Sequence, residues 1–247
     1  MTLFEGPAYA IGVAAGALSG GAGCPAAVAG LGAAALGTLD DLVGDSSSKG
    51  LRGHLDAARR GEVTTGVVKI VGLGVTGLTT AWIADRSRER TGTPPSTGLA
   101  TLVGGAVIAG SANVVNLLDL RPGRALKVVL LLALPLTVSR RGTRLSTVAA
   151  SATAGSAMAA LRDDLAGRSM LGDSGANSAG AVLGTALVAR TGLRGRLLAL
   201  AALTALTLAS EKVSFTTVIE SSPSLRRLDA LGRPPGPSPD SDSTPTP

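Results

Sequence analysis

The chain has 247 residues, of which 45% are hydrophobic and only 16% are charged, and its mean hydropathy is +0.36. Short charged clusters separate long stretches of Gly, Ala, Leu and Val, a pattern typical of a multi-pass α-helical membrane protein rather than a soluble domain. The net charge is +6, but only 2% of the residues are aromatic. Base-stacking side chains are therefore scarce, so we expect no nucleic-acid partner and instead anionic lipid or phosphate.

An all-α transmembrane bundle is predicted, with about seven spans inside a range of roughly six to nine. The first apolar segment is interrupted by glycines and Pro25, and we interpret it as one broken helix. Three later segments are shorter than the roughly 20 residues that a span needs. In chain order, the predicted spans cover residues 8–39, 65–84, 97–118, 125–138, 145–161, 176–189 and 197–209.

The membrane domain is predicted to occupy residues 1–233. The last stretch, 234–247, is rich in Pro, Ser and Asp and is predicted to be disordered. The first residues carry no basic stretch, so we expect a true first membrane segment and no cleavable signal peptide. Cys24 is the only cysteine, which excludes an intrachain disulfide.

A polar motif stands at the end of the third segment, where the chain reads SANVVNLLDL. Asn113, Asn116 and Asp119 follow one another at three-residue spacing and therefore lie roughly on one helical face. Two amides and a carboxylate at the end of a membrane-length helix are costly unless they bind a ligand. The alternative is a polar helix end that simply meets water.

Two further acidic motifs also stand at segment ends: LDDLVGD with Asp40 and Asp41, and LGDSG with Asp173. If all seven segments cross the membrane, the loops that carry the three motifs lie on one side. That side carries more Lys and Arg than the other, which predicts a cytoplasmic location. The plain alternatives are a solvated aspartate pair at a helix end and, for Asp173, a helix N-cap.

The residue types at these motifs favour phosphoryl chemistry at the membrane surface. Clustered carboxylates without His or Cys partners suit a hard cation such as Mg²⁺, held by few protein ligands and by substrate phosphates. Nearby basic residues suit phosphate oxygens. The chain has no Walker-type glycine loop, and its one histidine, His54, lies in a charged loop where we expect it to be solvated.

The order LDDLVGD, SANVVNLLDL and MLGDSGANSAGAVLG resembles the polyprenyl-phosphate N-acetylhexosamine-1-phosphate transferase family (glycosyltransferase family 4). Its members include phospho-N-acetylmuramoyl-pentapeptide transferase and undecaprenyl-phosphate GlcNAc-1-phosphate transferase. The resemblance covers roughly residues 30–190 and marks a short, divergent member. It implies that a sugar-1-phosphate passes from a UDP-sugar to a polyprenyl phosphate at the cytoplasmic face of the cell membrane. UMP is released, and the product serves cell-envelope polymer synthesis.

The same resemblance implies a Mg²⁺ cofactor, with Mn²⁺ as an alternative, and a role for each motif residue. The aspartate pair matches the family's lipid-phosphate residues, and either Lys49 or Lys69 matches a lysine near the phosphates. The implied site residues are Asp40, Asp41 and Asp119 for catalysis, Asn113, Asn116 and Lys69 for nucleotide and phosphate binding, and Asp173 with Asn116 for the metal.

Several departures from the family pattern keep a second hypothesis open. Pro122 stands where the family has a second aspartate, Arg121 and Arg124 add positive charge around it, and Ala176 replaces a serine. The alternative is a catalytically degenerate paralogue that acts as a membrane scaffold or binds lipid phosphate in envelope assembly. An ion-coupled transporter is disfavoured, since its acidic groups should lie at mid-membrane. A homodimer is a further expectation.

Overall fold

The computed structural model describes residues 4–43, 59–61, 64–90, 96–139 and 142–234, and the elements in these residues are all α-helices. The all-α prediction is therefore confirmed for this part of the chain. The helices are α1 (Glu5–Ser19), α2 (Cys24–Val43), α3 (Thr65–Glu89), α4 (Gly98–Leu118), α5 (Arg124–Val138), α6 (Arg144–Leu165), α7 (Gly172–Arg190), α8 (Leu193–Ser210), α9 (Phe215–Ser221) and α10 (Pro223–Ala230).

The first apolar segment forms two helices, not the single broken helix that we predicted. Gly21 and Gly23 adopt φ values of +75° and +74°, a left-handed conformation that ends a helix and that glycine tolerates best. The chain therefore turns, and α2 packs back against α1. As a result, Glu5 at the start of α1 contacts Ser169, just before α7 begins.

Four helices, α2, α3, α4 and α8, are long and apolar enough to cross a membrane. This finding supports the predicted membrane protein, although it covers fewer helices than the seven predicted spans. The seventh predicted segment, 197–209, is part of a longer helix in the structure, because α8 has 18 residues. By contrast, α5 has only 15 residues and contains a proline, Pro135.

Helix α7 forms the centre of the bundle, and most of its residues are buried. Its sequence is dominated by Gly, Ala and Ser, which lets α1, α2, α4 and α6 approach it closely. At Gly180, a Cβ atom would lie 2.6 Å from Cα of Ala112 in α4, and at Gly37 of α2 it would lie 2.6 Å from Cα of Ser174. Backbone contact of this kind requires glycine at both positions.

A buried ion pair fixes α8 to the other helices at the end of the bundle where α3 ends and α8 begins, which we call the far end. Arg196 of α8 donates two hydrogen bonds to Asp85 of α3, at 2.6 and 2.9 Å, and both side chains are buried. The Arg196 guanidinium also donates to the carbonyl oxygens of Ala100 and Val188. A buried pair needs such extra hydrogen bonds to offset the desolvation of its charges. Arg196 thereby orients α8 relative to α3, α4 and α7.

Some predictions fall outside the described residues. These are the disordered stretch from residue 235 onward, the position of Asp45 in the first acidic motif, the alternative lysine Lys49, and the solvated loop position of His54.

The close contact at Gly180 generates the first prediction. The variant Gly180→Ala should destabilise the protein by about 1–3 kcal/mol, because the added methyl group must displace the α4 backbone. Gly155→Ala is the matched control: it also lies inside a helix, but a Cβ there has nothing within 4 Å. Thermal unfolding in detergent measures both. A melting temperature that falls equally in the two variants would contradict the close-packing explanation.

Candidate functional site

Four helices meet at one end of the bundle, which we call the motif end. Asp40 lies in the last turn of α2, Lys69 lies near the start of α3, Asn116 lies in the last turn of α4, and Asp173 lies in the first turn of α7. Polar residues at helix ends leave the apolar middle of each helix for packing. The three motifs are separated in sequence, and here their polar residues contact one another directly.

The Lys69 ammonium connects these residues. Its Nζ donates to Oδ2 of Asp40 at 3.1 Å and forms an ion pair with Oδ2 of Asp173. The Asn116 amide, oriented so that both its atoms are satisfied, accepts from Lys69 Nζ at 3.2 Å and donates to Oδ1 of Asp173 at 2.9 Å. An ammonium has three donors, so all three are used. We call Asp40, Lys69, Asn116 and Asp173 the polar cluster.

The cluster is shielded but still reachable from outside. Exposure is 13% for the Lys69 side chain, 24% for Asp40 and 28% for Asp173. Partial burial strengthens the attraction between the charges, because the local dielectric constant is lower than in water. One cation between two carboxylates leaves the three charged groups with a net charge of −1 when all are ionised. Because of this remaining negative charge, the two carboxylates could also accept a second cation or a further hydrogen-bond donor.

Asp41, the second residue of the aspartate pair, has a different partner. Its Oδ1 and Oδ2 accept from the backbone N–H groups of Asp173 and Ser174, each at 3.2 Å. Asp41 thus satisfies free N–H groups at the N-terminus of α7, where a negative charge is favourable. The side-chain hydroxyl of Thr38 also forms a hydrogen bond with the Ser174 hydroxyl at 3.0 Å. The capping role considered for Asp173 is therefore filled from α2, while Asp173 itself contacts Lys69.

A cavity of about 520 Å³ adjoins the polar cluster. All four cluster residues line one part of it, and α3, α4 and α8 supply a mainly apolar wall. Asn113 also lines the cavity and donates to the Thr207 hydroxyl at 3.2 Å. The contribution of α8 was not predicted, since nothing in its apolar sequence marks it as part of a site. The apolar lining residues include Ile70, Leu73, Leu200, Leu203 and Leu208.

Asp119 does not line this cavity. It is only 7% exposed, and its Oδ2 has no hydrogen-bond partner. The pKa of Asp119 is raised to about 7, chiefly by burial and also by the nearby Asp164 carboxylate, while a hydrogen bond from the Gly172 N–H partly offsets this rise. Near neutral pH a proton can therefore be held or released at this carboxyl. Of the predicted catalytic residues, Asp40 belongs to the polar cluster, Asp41 binds the backbone beside it, and the Asp119 carboxyl forms no hydrogen bond with it.

The basic residues after Asp119 hold the chain that follows α8, which we call the C-terminal segment (residues 211–234). Arg124 donates to both oxygens of Asp229, at 2.8 and 3.2 Å, and Arg121 pairs with Glu220. The Pro122 carbonyl accepts from Arg233 at 2.8 Å. Both arginines and Pro122, which depart from the family pattern, therefore have partners within the protein.

Lys127 reinforces this attachment. Its ammonium donates to the carbonyl oxygens of Leu228, Asp229 and Leu231 at 2.5–3.1 Å, where α10 ends. A cation at a helix C-terminus is favourable. Burial by itself would raise the pKa of the Asp229 carboxyl, but the Arg124 and Arg233 guanidiniums hold it below its usual range. Asp229 therefore stays ionised and keeps the C-terminal segment in place.

The oxygen donors of the polar cluster suit Mg²⁺ by type but are few. Among the described residues, no group of three His, Cys, Asp or Glu side chains could hold a metal ion. Two carboxylates and an amide remain, and Mg²⁺ is commonly held by one or two carboxylates together with substrate phosphates. The residues fit Mg²⁺ only if substrate supplies the other ligands and Lys69 moves from its present position.

No family model matches the chain, and comparisons with curated proteins and with solved structures found no match to it.

The buried carboxyl of Asp119 generates a prediction about pH. Its pKa rises from the usual 3.8 to about 7, so the folded state favours the protonated form. The resulting contribution of Asp119 to the free energy of unfolding is fully present below about pH 4 and is lost as the pH rises through about 7. The variant Asp119→Asn stays neutral and should gain up to about 4 kcal/mol relative to the parent protein over this range.

Thermal unfolding at about pH 5 and about pH 8 measures this difference. The control is Asp163→Asn, because the Asp163 side chain is 58% exposed and its substitution should have little effect at either pH. An Asp119→Asn effect that is the same at both pH values would mean that Asp119 does not titrate in this range.

Proposed function

We propose that this chain is a membrane phosphoglycosyl transferase. It transfers a sugar-1-phosphate, of the N-acetylhexosamine type, from a UDP-sugar to a polyprenyl phosphate and releases UMP. One observation carries this proposal: the Lys69 ammonium, flanked by Asp40, Asn116 and Asp173, lies beside a largely apolar cavity. A cation beside an apolar wall suits a ligand with a phosphate at one end and a hydrocarbon chain at the other.

The position of the cavity supports a lipid substrate. Its wall comes from α3, α4 and α8, three of the four helices in the described residues that are both long and apolar enough to cross a membrane. An isoprenoid chain in the bilayer can therefore lie against Leu200 and Leu203. Its phosphate would then meet Lys69, which would exchange a carboxylate partner for phosphate oxygens.

The reaction would proceed as a single displacement at phosphorus. An oxygen of the lipid phosphate attacks the β-phosphorus of the UDP-sugar, and a new P–O bond forms. The bond between the β-phosphorus and the bridging oxygen breaks, and UMP leaves with that oxygen. The product is a polyprenyl diphosphate-sugar. Lys69 would offset the negative charge of the two approaching phosphates, which stabilises the transition state more than the separate substrates.

Mg²⁺ is part of this proposal, with Asp173 and Asn116 as its protein ligands and the diphosphate supplying further oxygens. When bound, the cation would neutralise phosphate charge. Asp40 would then remain near Lys69 as the partner of its ammonium. Asp41 would keep Asp173 in position through the N-terminus of α7. The motif end would face the cytoplasm, where UDP-sugars are available.

A second function, a non-catalytic paralogue that binds lipid phosphate, is favoured by a separate observation. Pro122 occupies the position where the resembled transferase family has an aspartate, and its carbonyl accepts a hydrogen bond from Arg233. Asp119 is buried and does not line the cavity. Such a protein would keep the polar cluster for the lipid phosphate and lack the carboxylates that serve the nucleotide. It would act as a scaffold in envelope assembly.

UMP release tests the catalytic proposal. Purified protein is incubated with Mg²⁺, undecaprenyl phosphate and a panel of UDP-N-acetylhexosamines. Lys69→Met and Asp173→Asn should each reduce turnover by roughly 100-fold or more, because each removes a charge that interacts with the transition state. The matched controls, Lys212→Met and Asp163→Asn, change exposed residues and should retain turnover.

No UMP release with any donor, from protein that still binds undecaprenyl phosphate, would overturn the transferase and support the scaffold. Turnover that survives Lys69→Met would contradict the role of the polar cluster.

A further inference from the structure

The C-terminal segment begins where a membrane-length helix ends. α8 runs to Ser210, and both Ser210 and Glu211 line the cavity at the motif end. α9 and α10 follow, and neither contains a buried residue. Because α8 is long and apolar enough to cross a membrane, the chain that leaves it starts at the membrane surface. Arg124 and Lys127 prevent it from moving far from there.

One side of this segment carries leucines that no other described residue covers completely. Leu225 and Leu228 lie about one turn apart on one side of α10, and Leu231 follows directly after the last residue of the helix. Their exposures are 43%, 49% and 65%. Asp229 lies on a neighbouring face and holds the helix to Arg124. The protein therefore fixes α10 in an orientation that leaves the leucines uncovered, which is unfavourable in water.

The same helix carries two exposed arginines. Arg226 and Arg227 are exposed, in contrast to Arg121, Arg124 and Lys127, which have partners within the protein. Leucines beside arginines on a helix that follows a membrane span are typical of a segment lying in the interface, with apolar side chains among the acyl chains and cations at lipid phosphates.

We propose that α10 is an interfacial membrane-binding helix: its Leu225 and Leu228, together with Leu231 directly after it, enter the bilayer while Arg226 and Arg227 bind anionic lipid headgroups. The occupant of this face is the same bilayer that surrounds α8. Two features of the chain select it: the C-terminal segment begins where the membrane-length α8 ends, and the exposed Arg226 and Arg227, which have no side-chain partner among the described residues, complement an anionic leaflet. This inference does not rest on the proposed transferase activity.

Fluorescence quenching in nanodiscs tests the proposal on the full-length protein. A Cys24→Ala background removes the single native cysteine, and an environment-sensitive dye is attached at Leu228→Cys or Leu231→Cys. The control is Ala230→Cys, an exposed position on the opposite side of the same helix. Nanodiscs contain phosphatidylcholine alone or phosphatidylcholine with phosphatidylglycerol, each with a spin-labelled lipid as the quencher.

We expect the dyes at positions 228 and 231 to be quenched at least about twice as strongly as the dye at 230, and more strongly with phosphatidylglycerol. Adding Arg226→Gln and Arg227→Gln should remove the dependence on phosphatidylglycerol. Equal quenching at 228, 231 and 230 would overturn the proposal, because the leucines would then not face the bilayer. Quenching that ignores phosphatidylglycerol would overturn the role of the arginines.

Discussion

The motif end depends on one interaction, the contact of the Lys69 ammonium with the carboxylates of Asp40 and Asp173. Each of the three residues comes from a different helix, so the contact joins α2, α3 and α7. Without the ammonium, two partly buried carboxylates would face each other, and one of them would have to take up a proton or move away. The geometry of the polar end of the cavity therefore depends on this lysine. The proposed reaction at the lipid phosphate would depend on it as well.

The remainder of the bundle holds these groups in place. α7 supplies both Asp173 and the most closely packed surface of the protein, since its small residues let the neighbouring helices touch its backbone. At the far end, Arg196 and Asp85 anchor α8, which forms one wall of the cavity at the motif end. A rigid far end combined with a partly exposed motif end is a suitable arrangement for a site that must position a charged ligand.

Sequence reasoning predicted the features that depend on local pattern. The helical class followed from composition, and the sequence predicted one shared side for the motifs of Asp40, Asn116 and Asp173, whose side chains the structure brings to one end of the bundle. It failed where long-range contacts decide. The glycine turn that separates α1 from α2 looked like a kink, because a positive φ is not visible in sequence. The capping by Asp41, the withdrawal of Asp119 and the pairing of Arg124 with Asp229 join positions far apart in the chain. Local patterns carry no sign of these contacts.

The most direct test of the polar cluster is to measure whether the purified protein binds one polyprenyl phosphate through Lys69. Native mass spectrometry can count bound undecaprenyl phosphate, with undecaprenol as the control for the chain alone. We expect one bound lipid phosphate in the parent protein and in Lys212→Met, and its loss in Lys69→Met. Both proposed functions require this result. Equal retention by Lys69→Met, or equal binding of undecaprenol, would show that the cluster does not recognise the phosphate.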